Sequence, residues 1–195
     1  MKAVLRSIKP YWLYLILTGK KTIEVGKSCP KSKDWNKVVE MYCSKDIRSF
    51  NRIPEKDREW MHKYLGKVAG LFVCDDITKI VTWQRTWFDI LQHPIGTTTE
   101  YGIWNDDFKQ MCLTWKEIND YGKKKPLYGW HISQLKIYDK PKELKEFGRK
   151  CDYASEIHCR DCLILGDWDN CCGVMCKPLT RPPQSWCYVQ ELEDA

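Results

Sequence analysis

Apolar residues recur along the chain at two spacings, and each spacing predicts a different kind of element. Residues 1–8 alternate imperfectly, with Ala3, Leu5 and Ser7 on one side, and read as a first strand. Pro10 suits the first position of a helix whose Leu13, Ile16 and Leu17 share one face, and Gly19 fits its C-terminal cap. In residues 21–25 the period returns to two, so Ile23 and Val25 point one way while Thr22, Glu24 and position 26 point the other. Residues 38–43 and 67–74 read as strands, and residues 53–65 between them as a helix. Thr114 and Glu117 have the spacing of a capping box, which opens a short helix ending near Gly122. Residues 127–138 are extended, and Pro182 and Pro183 break the chain before a last strand at 186–192.

Several strands interrupted by short helices, without a βαβ rhythm, predict an α+β fold on a small mixed sheet or barrel. No internal repeat or low-complexity tract is present. The polar stretch 139–150, which contains Pro141, is the best candidate for a linker into the C-terminal part. The division that follows is a barrel at 1–145, a cysteine-rich insertion at 146–180, and a closing strand and tail at 181–195.

Composition narrows the class. A chain of 195 residues that is 43 % hydrophobic and 13 % aromatic can bury a real core, which excludes disorder as its global state. No apolar run approaches the roughly 20 residues of a membrane-spanning helix, and residues 1–30 carry no signal peptide. The expectation is a cytoplasmic protein with no membrane association. The net charge of +6 is unevenly spread: residues 1–70 carry 16 Lys/Arg against seven Asp/Glu, whereas residues 151–195 carry three against eight. A basic first half can supply the sequence-independent attraction to phosphates on which nucleic-acid affinity largely rests. The plain alternative is a lysine-coated solvated surface.

Seven of the 11 cysteines fall in the last 45 residues. Cys159 and Cys162, followed by Cys172 and Cys176, offer two short loops with two thiolates each, which can hold one zinc ion at about 2.3 Å from each sulfur. Cys171 is an adjacent alternative to Cys172, Cys151 can replace any member, and His158 is a possible nitrogen donor. A disulfide framework is the rival. The odd total, the chain length and the missing signal peptide count against it. The site read here is a closed, structural zinc that staples an acidic excursion so that the chain can return as its last strand. Cys187 in that strand, together with Cys29, Cys43, Cys74 and Cys112, reads as an ordinary buried thiol.

The stretch Gly19-Lys20-Lys21-Thr22-Ile23-Glu24-Val25-Gly26 resembles the Gly-x-Lys-x-x-Glu-x-Arg signature of ASCH domains, members of the PUA-like β-barrel superfamily. Ser7-Ile8-Lys9-Pro10 precedes it as in those domains. Tyr128-Gly129-Trp130-His131-Ile132-Ser133 is similar to their late barrel strand, and the segment from Arg181 to Val189 to a closing strand of phage and prophage members. The resemblance implies a small PUA-like β-barrel with short flanking helices, and a cleft beside the first helix that binds RNA or a modified nucleotide. In that cleft Lys9 and Lys21 can meet a phosphate, Glu24 can accept from a base amine or activate water, and Trp130 can stack on a base. For each there is a structural reading too: surface lysines, and a core tryptophan. His131, if the strand alternates, faces away from Trp130.

Gly26 stands where the family pattern has arginine, beside Glu24 on the same face. Three readings follow: a weakened or lost family activity, a larger ligand in the vacated space, or another cation such as Lys27, Lys45 or Arg48 in its place. The first is preferred, and it predicts that arginine at position 26 raises affinity or activity. Two further functions stay open. One is a hydrolase of nucleic acid or nucleosides, of ribonuclease or amidohydrolase type, using Glu24 and Lys21. Its threonine nucleophile is missing unless Thr22 serves. The other is a phage protein-interaction module with a protein partner.

Overall fold

The computed structural model describes residues 2–31, 35–80, 105–123, 125–149 and 177–191. Ten strands and five short helices follow one another among these residues. They are β1 (Lys2–Ile8), α1 (Pro10–Leu17), β2 (Ile23–Gly26), β3 (Trp35–Cys43), α2 (Ile47–Phe50), α3 (Glu55–His62), β4 (Val68–Val73) and β5 (Ile77–Ile80). After them come α4 (Asn105–Met111), α5 (Trp115–Gly122), β6 (Leu127–His131), β7 (Ser133–Lys142), β8 (Phe147–Arg149), β9 (Lys177–Pro178) and β10 (Trp186–Glu191). No described helix is long and apolar enough to cross a membrane.

The strands form two sheets. The larger has the order β7-β4-β3-β1-β10-β8-β9, with β1 and β3 parallel and every other neighbouring pair antiparallel. It curls into a half-barrel: Tyr138 near one edge packs in the same apolar cluster as Phe147 and Val189 from beyond its middle. The smaller sheet, β2-β6-β5, is antiparallel throughout. One of its faces meets the concave side of the half-barrel and the other is covered by α4 and α5. This is the α+β arrangement expected, a mixed, curled sheet with short helices.

Local sequence explains most elements. Lys9 caps α1 in extended geometry ahead of Pro10, and Gly19 turns the chain at φ 71°, where its N–H donates to the Ile16 carbonyl at 2.9 Å. Thr114 and Glu117 close the expected capping box at α5. β1 alternates imperfectly because both its faces are buried: Val4 and Ile8 join the core between the sheets, and Leu5 the cluster on the opposite side.

Three expectations are corrected. Residues 127–138 are not one element: the chain crosses from the small sheet to the large one between β6 and β7, at Ile132. Residues 139–149 are built into the sheet rather than forming a linker, with β7 running to Lys142 and Phe147 completely buried. Cys29, Cys112 and Cys187 are only partly buried, while Cys43 and Cys74 are fully so. Cys159, Cys162, Cys172 and Cys176, with most of the predicted insertion, lie outside the described residues. Within that insertion, near its two ends, β8 pairs with β9, Arg149 opposite Lys177.

Candidate functional site

The register of the small sheet sets the site. Glu24 on β2 lies directly opposite Trp130 on β6, and Trp130 lies opposite Ile77 on β5, so these three side chains form a row facing the half-barrel. Arg6 meets them from the other wall, carried there by β1 on the same face as Val4 and Ile8. Its guanidinium Nη2 donates to the Val25 carbonyl at 2.9 Å and lies 3.5 Å from Glu24 Oε1, while its Cζ sits 4.7 Å from the centre of the Trp130 ring. Lys21 completes the group. Its ammonium donates to the Met111 carbonyl at 2.5 Å, lies 3.6 Å from Glu24 Oε2 and 5.2 Å from the Trp12 ring.

All four residues are sequestered: Arg6 is 3 % exposed, Lys21 2 %, Glu24 7 % and Trp130 0 %. Burial pushes the Lys21 ammonium below its usual range, with Glu24 acting against the shift. The cluster holds two cations and one carboxylate. Arg6 Nε and Nη1 and Trp130 Nε1 are buried without a hydrogen-bond partner among the described residues. Such donors are rare in folded interiors, and each is costly to leave unpaired. Trp35 and Trp186, both half-buried, approach Trp130 edge-on at 6.1 and 6.2 Å between ring centres.

Of the residues expected at a site from sequence, Lys21, Glu24, Gly26 and Trp130 come together and Lys9 does not join them. Lys9 is largely exposed and pairs with Asp46 at 3.1 Å, where α1 meets α2. Thr22 is exposed, its hydroxyl donating to Gln110 at 3.2 Å, and so is apart from the buried pair. His131 does face away from Trp130. Its Nε2 meets the Thr78 hydroxyl at 2.8 Å and the Asp76 carboxylate at 4.0 Å, both on one ring nitrogen, which is not the geometry of a relay.

Arg6 is the residue that sequence reading missed. A Cβ at position 26 would lie 2.8 Å from Arg6 Nη1 and 3.0 Å from its Cζ, with Nη2 nearer still. The glycine therefore leaves no vacant space, which corrects the expectation of room for a larger ligand. The proposed substitutes are also corrected. Lys27 lies over the Tyr121 ring at 4.6 Å and is exposed, as are Lys45 and Arg48, whereas the cation beside Glu24 is Arg6. The available signal was an arginine set among Val4, Leu5 and Ile8 in a strand. Among the described residues no cluster of histidine, cysteine and carboxylate could hold a metal ion.

Neither a protein-family model nor a curated protein matches the chain. Among the solved structures that resemble it along nearly its whole length are ASCH proteins. One is an ASCH from Zymomonas mobilis at 14 % identity and a TM-score of 0.49, covering 99 % of this chain and 89 % of its own. A single-substitution variant of that protein gives 13 % identity and a TM-score of 0.49, covering 100 % and 92 %.

Proposed function

We propose that this chain binds RNA or a modified nucleotide at the buried polar group between its two sheets. The observation that carries the reading is the buried Arg6–Glu24–Lys21 group against Trp130, with more positive than negative charge and three unpaired donors. A folded chain accepts the cost of burying such a group where a ligand repays it, and perturbed charges in a crevice mark functional sites. The ligand's acceptor atoms meet Arg6 and Trp130, Glu24 takes a hydrogen bond from a base amine, and the surrounding tryptophans supply stacking surface. The motif resemblance to ASCH domains and the basic first half point the same way. Entry requires local opening, since the group is closed to solvent.

Titration of short oligoribonucleotides and nucleoside monophosphates, followed by tryptophan fluorescence, tests this. Binding is expected to quench Trp130 and its neighbours and to weaken as salt rises. A signal unchanged across every ribonucleotide would overturn the reading. Lys21 favours hydrolysis as a second reading, since burial lowers its pKa and so raises the share of free amine that can take a proton near neutral pH. Turnover of acylated nucleosides or RNA that is lost in Lys21→Met would establish it.

For the C-terminal part we propose one structural zinc held by Cys159, Cys162, Cys172 and Cys176. The adjoining ends of the segment support a closed excursion, and the thiolate spacing supports the metal. Elemental analysis of protein purified without added metal should find about one zinc per chain. A metal-free, fully folded protein would overturn it.

A further inference from the structure

We infer that Arg6 is the specificity-determining cation of this site and that Gly26 exists to admit it. The two positions compete for one volume. Arg6 reaches from β1 in the large sheet across to β2 in the small one, and its guanidinium occupies the place where a side chain at position 26 would begin. Among the described residues, the three atoms nearest to such a side chain all belong to Arg6. Gly26 is not among the residues with positive φ, and it pairs regularly with Tyr128 in the antiparallel ladder. A residue of ordinary backbone geometry in a buried strand weakens that strand when it is glycine. The close approach of Arg6 gives the reason for keeping it.

The consequence concerns ligand chemistry. An arginine at position 26 would rise from the same strand as Glu24, beside the carboxylate. In this chain the guanidinium comes from the opposite wall. It spends Nη2 on the Val25 carbonyl and the Glu24 carboxylate, and keeps Nε and Nη1 unpaired. The indole Nε1 of Trp130, whose ring lies under the guanidinium, is unpaired as well. These groups only donate, so the moiety they recognise is an acceptor without competing hydrogens: a phosphoryl oxygen or a base carbonyl. This assignment rests on the nucleotide reading, whereas the exchange of volume between positions 6 and 26 does not.

A double-mutant cycle separates the two. Gly26→Ala and Gly26→Arg are made in the wild-type chain and again with Arg6→Ala, and each protein is unfolded with urea and titrated with ligand. Gly26→Ala is expected to destabilise the wild type and to cost much less once Arg6 is gone. If Gly26→Arg alone fails to fold, the Gly26→Ala pair still reads the coupling. Equal cost in both backgrounds would overturn the exchange of volume. Arg6→Ala should weaken ribonucleotide binding by roughly 10- to 100-fold, and Gly26→Arg in that background should recover part of the loss. Unchanged affinity in Arg6→Ala would overturn the role of Arg6 while leaving nucleotide binding intact. If no ribonucleotide binds the wild type, the ligand assignment falls and the stability coupling still stands or falls by itself. Inorganic phosphate that competes with a nucleoside monophosphate identifies the acceptor as phosphoryl. A nucleoside that binds as well as its monophosphate identifies a carbonyl.

Discussion

Ile23 and Val25 face one side of β2 and Glu24 the other, one residue apart and all less than a tenth exposed. On the first side they meet Ile80, Met111, Ile118 and Leu127, a surface of hydrocarbon closed by α4 and α5. On the second, Glu24 meets two cations and an indole. The apolar side asks of its residues only shape and volume, and many combinations satisfy that. The polar side asks for particular partners, because a charge deprived of its counter-charge in a dry place has no solvent to fall back on. Two faces of one short strand thus differ in how much of their surroundings must be specified.

Breaking the polar face should have the largest effect. Glu24→Gln leaves Arg6 and Lys21 buried together without a carboxylate, and the expected loss is about 3–5 kcal/mol by urea unfolding at neutral pH. A loss below about 1 kcal/mol would mean that the cluster is solvated and that the two faces do not differ as described.

Alkali should sharpen the comparison through opposite signs. Burial pushes the Cys43 and Cys74 thiols up to about 12 from 9.0, so the folded chain keeps protons that the unfolded chain releases. Stability is therefore lost as pH rises above 9, by roughly 1.4 kcal/mol per thiol at pH 10. Lys21 runs the other way. Its folded pKa lies below the ordinary 10.5, so the unfolded chain binds more protons and the cost of burying the ammonium declines as pH climbs toward that value. The stability of the wild type relative to Lys21→Met should rise over this range, while relative to Cys43→Ala it should fall. Urea midpoints of the three proteins at pH 7 and pH 10 check both signs.

The smallest effect is expected on the apolar face. Ile23→Val should cost about 1 kcal/mol and leave ligand binding unchanged. A change in affinity comparable to that of an Arg6 variant would show that the faces communicate.

Elements whose cause is local were legible in the sequence. The helix opened by Pro10 and closed by Gly19, the capping box at Thr114 and the strand around Glu24 each follow from residues within one or two turns of each other. What was hidden is non-local. Arg6 contacts Glu24 across 18 positions and from a different sheet, and no periodicity records that encounter. The alternation of 127–138 changes phase after Ile132, from Trp130 and Ile132 to Leu135 and Ile137, and reading the stretch simply as extended passed over that shift. Residues 139–149 are polar in composition, and Phe147, with Leu144 packed against the same cluster, anchors them in the core, two apolar residues that pattern reading discounts. Glu24 was selected as a carboxylate in need of a partner, but identifying that partner required the fold.

The pairing of Gly148 with Pro178 and of Arg149 with Lys177 sets the two ends of the segment between them side by side, so that it can be cut out as a cassette. The described strands and their registers all lie outside it. Replacing residues 150–176 by an Asn-Gly turn would join the two strands as an ordinary hairpin, giving a shorter, cysteine-poor protein with its sheets intact. Whatever the cassette contributes can in this way be assayed, exchanged or transplanted separately from the buried polar group around Arg6.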